Sequence, residues 1–417
     1  MTTDRKIIHT DVLIIGGGSA GLMAGAIASS FDKKVLILEK NHDFGEKLKI
    51  TGGGRCNITN KEDDIHKLLN NYGDASKYLY SPFSEFGVQD TFNFFESRGL
   101  KLKVEDRKRT FPITEKAMDV YEVLFNELKK NKVDLRADEA VKEIKLENNL
   151  IKSVETKNGI YIANSYILAT GGLSHPETGS TGDGFKWLKT FDFNISEPSP
   201  SIVPLALEKV YKELEGITLK DIKLTFKVDN KKSFSKNGDI LFTHFGVSGP
   251  TILNSSKKVS DLLREGLVTL HIDLLPTLNE KEINIKLLEL FDNNRNKNIK
   301  NVLVEIFPSG VSEIILNNCC ISSDMKVNVV TSEMRTKIIL EIKNFKHNIK
   351  GLMGFDKAVI ADGGVAIGEI DMKTMRSNKI NNLFIVGDLL DVSRPSGGYS
   401  LQLCWTTGFV AGKNAAS

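Results

Sequence analysis

The sequence predicts an α/β protein. It has a doubly wound, Rossmann-like domain that is split in sequence by a β-rich insert carrying a nested helical subdomain. Three observations carry this. A glycine-rich loop joins an apolar strand to a small-residue helix near the N-terminus. The middle of the chain alternates like antiparallel strands and then turns helical. After about residue 357 the chain returns to an apolar strand, glycines and a last helix. At 417 residues it exceeds one ordinary domain. The expected segments are 1–194 and 361–417 for the split domain, 195–278 and 345–360 for the insert, and 279–344 for the helical subdomain.

Each element follows from its residues. Residues 12–16 (VLIIG) are an apolar, β-branched run, as expected of a strand buried on both faces. Ala20 to Ser30 reads as a helix of small residues, and 35–39 (VLILE) as a second buried strand, which begins a doubly wound sheet. Residues 85–99 and 115–130 have helical apolar spacing. Segment 133–169 reads as short strands broken at Asn148-Asn149 and Asn158-Gly159, ending in the turn Thr170-Gly171-Gly172. Pro198, Pro200 and Pro204 mark the exit into the alternating stretch 201–273, and 279–344 is helical and rich in Lys and Asn. NLFIVGD at 382–388 and a helix from about 398 then rejoin the first sheet.

Composition narrows the function. Lys and Arg number 56 against 53 Asp and Glu, a net charge of +3, which gives no sign of a nucleic-acid or acidic-membrane partner. No apolar run reaches the roughly 18–20 residues of a membrane span. The N-terminal apolar run is broken by His9, Thr10 and Asp11, unlike a signal peptide. Cys56, Cys319, Cys320 and Cys404 lack metal-ligand spacing. The expectation is a cytoplasmic, reduced protein with no metal and no obligate protein partner.

GGGSAG at 16–21 sets Gly16, Gly18 and Gly21 in the GxGxxG frame. These serve the tight turn, the approach of a pyrophosphate to backbone, and close helix–strand packing. The following helix start favours a diphosphate. Glu39, closing the second strand, is placed to accept from both ribose hydroxyls and disfavours a 2′-phosphate. The choice between NAD and FAD falls to the C-terminus. Asp388, after Gly387, is an acceptor for a polyol chain such as ribityl. Gly397-Gly398-Tyr399-Ser400 opens a helix toward the flavin N1/O2 edge. With Thr170 and Gly171 as the third piece, the pattern predicts bound FAD.

Four motifs carry a resemblance: TGGGRCNITN (51–60), GGLSHPETGSTGDGF (171–185), LFTHFGVSGPTIL (241–253) and GDLLDVSRPSGGYSLQ (387–402). Together they resemble the BaiN-type bacterial FAD-dependent oxidoreductases, which include bile-acid-type enone reductases and aminoacetone-oxidase-like flavoproteins. The resemblance implies a two-dinucleotide-fold-type flavoprotein with a discontinuous FAD domain, an inserted β-barrel-like domain and a nested helical subdomain. It departs at Asp388, Ser400 and His175, where Glu, Asn and a small or aromatic residue are more usual. Besides the residues already named, the expected cofactor set includes Gly17, Ser19, Ala20, Lys40, Lys47, Gly53, Gly54, Arg55, Cys56 and Val141.

Within TGGGRCNITN the glycines let backbone approach the cofactor, and Arg55 is a candidate to neutralise phosphate or face the ring. Lys61, not cysteine, lies five residues after Cys56, so no redox pair exists. Cys56 reads first as packing against flavin, with a lone redox thiol as the alternative. His244 is either a proton donor at the flavin or a hinge histidine, and Tyr399 a residue bordering the ring; with Arg55 these are the catalytic candidates. His175 reads as a surface-loop residue and Trp187 as packing. The predicted activity is flavin-mediated hydride transfer to a small organic substrate, with NAD(P)H as donor. The alternatives are an oxygen-dependent amine or alcohol oxidase of the aminoacetone-oxidase type and, less favoured, an RNA-modifying flavoenzyme or a flavin sensor. No second GxGxxG marks a nicotinamide domain.

Overall fold

A computed structural model describes residues 6–229 and 231–417. The chain forms two compact units, Met1–Pro200 with Phe355–Ser417, and Ser201–Gly354. The limits fall at Pro200 and Gly354, not at the expected 194 and 360. Pairing explains the difference: Ile195–Ser201 hydrogen-bonds with Ile360–Val365 in a two-stranded sheet, which holds both segments in the first unit. Such an edge tolerates Pro198 and Pro200.

The first unit is built on β1 (Lys6–Ile15), α1 (Ser19–Ala28), β2 (Val35–Leu38), α2 (Ala117–Lys130), β3 (Asp134–Arg136), β4 (Gly159–Leu168), β5 (Leu383–Ile385) and α3 (Tyr399–Ala416). The core strands are parallel in the order β5-β4-β1-β2-β3 within a nine-stranded sheet. Val12 pairs with Val35, Leu13 with Tyr166, and Phe384 with Ile167. All of β2 and the last four residues of β1 are buried, because helices cover a parallel sheet.

α1 packs against both α2 and α3. A Cβ on Gly408 would lie 2.5 Å from the Ala20 carbonyl oxygen, so only glycine lets the two backbones approach this closely. The TGGGRCNITN segment is pinned to α3. Trp405 Nε1–H donates to the Ile58 carbonyl at 3.0 Å, and Thr59 Oγ1 donates to Gln402 Oε1 at 2.6 Å.

The second unit is a closed antiparallel barrel of six strands, ordered 205–207, 246–248, 231–243, 218–228, 268–273, 345–352. Leu224, Phe226, Ile240, Leu270 and Ile272 fill it. The helices Glu280–Asn293, Ser309–Asn318 and Ser332–Lys343 share that core through Leu287, Ile314 and Ile338. The helices of the expected nested subdomain 279–344 thus share one core with the barrel. Among the described residues no helix is long and apolar enough to cross a membrane, and no His/Cys/Asp/Glu group could hold a metal.

Candidate active site

The carboxyl ends of β1, β2 and β4 open into a groove. Gly16, at φ 106°, crosses close to the Ala169 carbonyl, and a Cβ on Gly21 would overlap the Gly16 carbonyl oxygen. Gly18 instead faces open space. It precedes α1 without a side-chain cap, so the first-turn N–H groups stay open to an anion.

Glu39 is 8% exposed. Its carboxylate accepts the Gly17 N–H at 2.8 Å and the Asn41 N–H at 2.9 Å. Burial pushes its pKa up, partly opposed by those N–H groups. Two of roughly four acceptor sites of a carboxylate remain. Beside it, Val141, Thr170 and Trp187 line a slot with Lys40 and Asp183. Lys40 bonds Asp183 at 2.8 Å and also Thr181. Burial would raise Asp183, but Lys40, Thr181 and Lys186 outweigh it and bring it to about 2.

The groove continues along Ser19, Ala20, Gly171, Gly387 and Asp388. Asp388 bridges two cations: Lys47 Nζ at 3.3 Å, and Arg394, whose guanidinium also reaches Ser400 Oγ at 3.0 Å and the Val392 carbonyl at 2.6 Å. Burial would raise Asp388, yet Arg394 and Lys47 hold it below the usual carboxylate range. Lys47 also bonds Ser174.

Lys47 lines a cavity of about 340 Å³ as well. Its wall combines Gly52, Gly53 and Asn57 with Gly397, Gly398 and Ser400 at the start of α3, and it includes the apolar Ile50, Val359 and Leu401 together with His175.

These residues fit FAD. Gly18 leaves room for a pyrophosphate, and Glu39 keeps free acceptor sites. Thr170 Oγ1 is buried with no hydrogen-bond partner on the groove wall. Such an orphan is costly unless a bound group satisfies it. FAD would supply hydride-transfer chemistry, and the chain's part is to hold its diphosphate, polyol and ring.

Several expected site residues stand elsewhere. Arg55 faces Glu105 at 2.6 Å and Glu115 at 3.0 Å and lies over the Phe111 ring, so carboxylates, not a phosphate, neutralise it. Cys56 is fully buried, and burial pushes its thiol up to about 12. Neither it nor Gly54 is part of the cavity wall. The Tyr399 ring sits edge-on to Tyr72 at 5.9 Å, and Tyr399 is not part of the cavity wall. Gly17 and Gly21 shape the loop from behind. His244, in the second unit, is 74% exposed, with Nδ1 3.7 Å from Glu215. Arg394, Ser174, Asn57 and the lining role of Trp187 escaped the sequence reading. The arginine of the SRPSGG run, six residues after Asp388, was the available signal.

The HI0933-like protein Rossmann domain family matches residues 10–414. The 3-dehydro-bile acid delta(4,6)-reductase of Clostridium scindens is 28% identical over 407 residues, covering 97% of this chain and 98% of that protein. A ribosomal RNA dihydrouridine synthase of Haemophilus influenzae is also 28% identical over 407 residues, covering 96% and 97%. Among solved structures, the 3-ketosteroid-delta4-(5alpha)-dehydrogenase of Rhodococcus jostii RHA1 superposes with a TM-score of 0.55 at 13% identity, covering 100% of this chain and 98% of that one. This last likeness concerns the fold.

Proposed function

We propose that this chain, which belongs to the HI0933-like Rossmann family of FAD-dependent oxidoreductases, reduces a C=C bond conjugated to a carbonyl group in a small organic molecule, with NAD(P)H as hydride donor. One observation carries the reading. The dinucleotide groove, with Gly18 and Glu39 at one end, runs through Asp388 and Lys47 to a cavity with apolar residues on its wall. A flavin ring at that end would meet a substrate beside Ile50, Val359 and Leu401. The relatives' names agree on the bond type, since a delta(4,6)-reductase of a 3-keto compound and a dihydrouridine synthase both add hydrogen across an enone-like C=C. A cytoplasmic site of action belongs to this reading and is consistent with four unbridged cysteines.

The dihydrouridine synthase likeness favours a second reading, in which the conjugated C=C is that of a uracil in RNA. One experiment orders these possibilities. The purified protein should show flavin absorbance and release FAD. NADH or NADPH under nitrogen should bleach it, and a small enone should restore the colour. Restoration only by a uridine-containing RNA supports the second reading. No bleaching by either nucleotide, with bleaching by an amine or alcohol and recovery in air, identifies an oxidase instead.

A further inference from the structure

We propose that His175, supported by Glu177, is the acid that delivers the proton in C=C reduction; the assignment rests on the reading above. His175 is on the wall of the 340 Å³ cavity, together with Gly397, Gly398 and Ser400 at the start of α3. Its side chain is 28% exposed, so it reaches both the cavity and solvent. Nδ1 lies 2.8 Å from Glu177 Oε1. Nε2 has no protein partner among the described residues and is the nitrogen free to meet a substrate. A carboxylate on one ring nitrogen orients the imidazole and leaves the other nitrogen to transfer a proton.

The backbone that carries the ring is also held. His175 adopts a left-handed conformation at φ 53°, which histidine, asparagine and aspartate accept more readily than most side chains. Three hydrogen bonds hold it there. Its N–H donates to the Phe355 carbonyl at 2.9 Å, and its own carbonyl accepts from the Thr178 N–H at 2.9 Å and from Thr178 Oγ1 at 2.7 Å. The preceding Ser174 is bound by Lys47, the residue shared by the groove and the cavity.

The step balances as follows. A hydride from reduced flavin, itself reduced by a nicotinamide donor, forms the new C–H bond at the β-carbon. The π pair of the C=C bond moves to the α-carbon and takes the proton from His175 Nε2. The substrate gains two electrons and two hydrogens, the flavin loses two electrons, and neutral His175 regains its proton from water. The charged groups near the ring are Glu177, Lys357, which acts on Glu177, and Lys47 on the cavity wall.

The test uses FAD-loaded protein reduced with dithionite under nitrogen and mixed with 2-cyclohexen-1-one, 4-androstene-3,17-dione or ferricenium ion. Flavin absorbance is followed between pH 5 and 9. His175→Asn keeps a residue type that accepts the left-handed backbone but has no proton to give. It should slow reoxidation by the enone about 100-fold or more. Reoxidation by ferricenium, which takes electrons without a proton, should keep its wild-type rate. Glu177→Gln removes the carboxylate that orients the ring through Nδ1, so the enone rate should fall about tenfold while the ferricenium rate is kept. If His175→Asn reoxidises with either enone at the wild-type rate and with an unchanged pH profile, the assignment is overturned while the reductase reading stands. If neither enone reoxidises the wild-type protein, the C=C reading itself falls and takes the assignment with it.

Discussion

Glu39 and Asp388 serve the same groove, yet their carboxyls are displaced in opposite directions. Glu39 is held by neutral backbone N–H groups of Gly17 and Asn41, and burial dominates, raising its pKa. Asp388 is buried too, but Arg394 and Lys47 outweigh burial and lower it. The difference shows how each end was built. The Glu39 end is assembled from one short β-loop-α-β stretch, using backbone geometry. The Asp388 end is assembled from side chains of residues 47, 388 and 394, and it carries charge.

The largest effect that could break this contrast is expected at Asp388. Arg394 has a side chain only 1% exposed. Asp388→Asn would leave that charge uncompensated and cost about 3–5 kcal/mol, read as a lower urea midpoint. A midpoint within error of wild type would mean that the pair is not the anchor described here. The sign in pH follows. A depressed carboxyl contributes stability fully above about pH 4, its unfolded value, and loses it as pH falls through the lowered folded value. Wild type should therefore approach Asp388→Asn in stability only in acid.

Glu39 should behave the other way. Its raised carboxyl contributes stability below about pH 4.5 and loses it as pH rises through the folded value. In apo-protein, Glu39→Gln should thus gain on wild type from pH 4 to pH 7. Glu39→Ala, which leaves the Gly17 and Asn41 N–H groups unpaired, should cost about 1–3 kcal/mol. Parallel pH curves for wild type and Glu39→Gln would remove the contrast.

The smallest effect is expected at Cys56. With its thiol pushed up to about 12, it carries no thiolate at neutral pH. Cys56→Ala should lose about 1 kcal/mol of packing and keep full flavin reduction by NAD(P)H. A variant that binds FAD but no longer turns over would restore a redox role.

Much of the Glu39 end was legible in the sequence for the same reason that it is local. VLIIG, the glycine frame and Glu39 fall within thirty residues, and each has a fixed relation to the sheet. Asp388 and Ser400 were legible as a strand end and a helix start. The cavity was not, because its wall joins Lys47, Gly52, Asn57, His175, Val359 and Ser400, whose meeting depends on tertiary packing. His175 illustrates this: only the folded loop shows its left-handed backbone and its pairing with Glu177. Arg55 shows the converse, since nothing local announced Glu105 and Glu115 as its partners. The barrel came from the family resemblance and not from the strand pattern, because 205–207 pairs with 345–352, far along the chain.

The central claim is that one groove holds FAD with its adenosine at Glu39 and its ring in the cavity beside Lys47. The most direct test is calorimetric titration of apo-protein with FAD and with FMN, in wild type and in Glu39→Ala. The account predicts one FAD per chain, a Kd for FAD at least about tenfold weaker in Glu39→Ala, the equivalent of ~1.4 kcal/mol, and no change for FMN, which lacks the adenosine. Absence of FAD binding by the wild type, or an equal loss for both flavins, would contradict it.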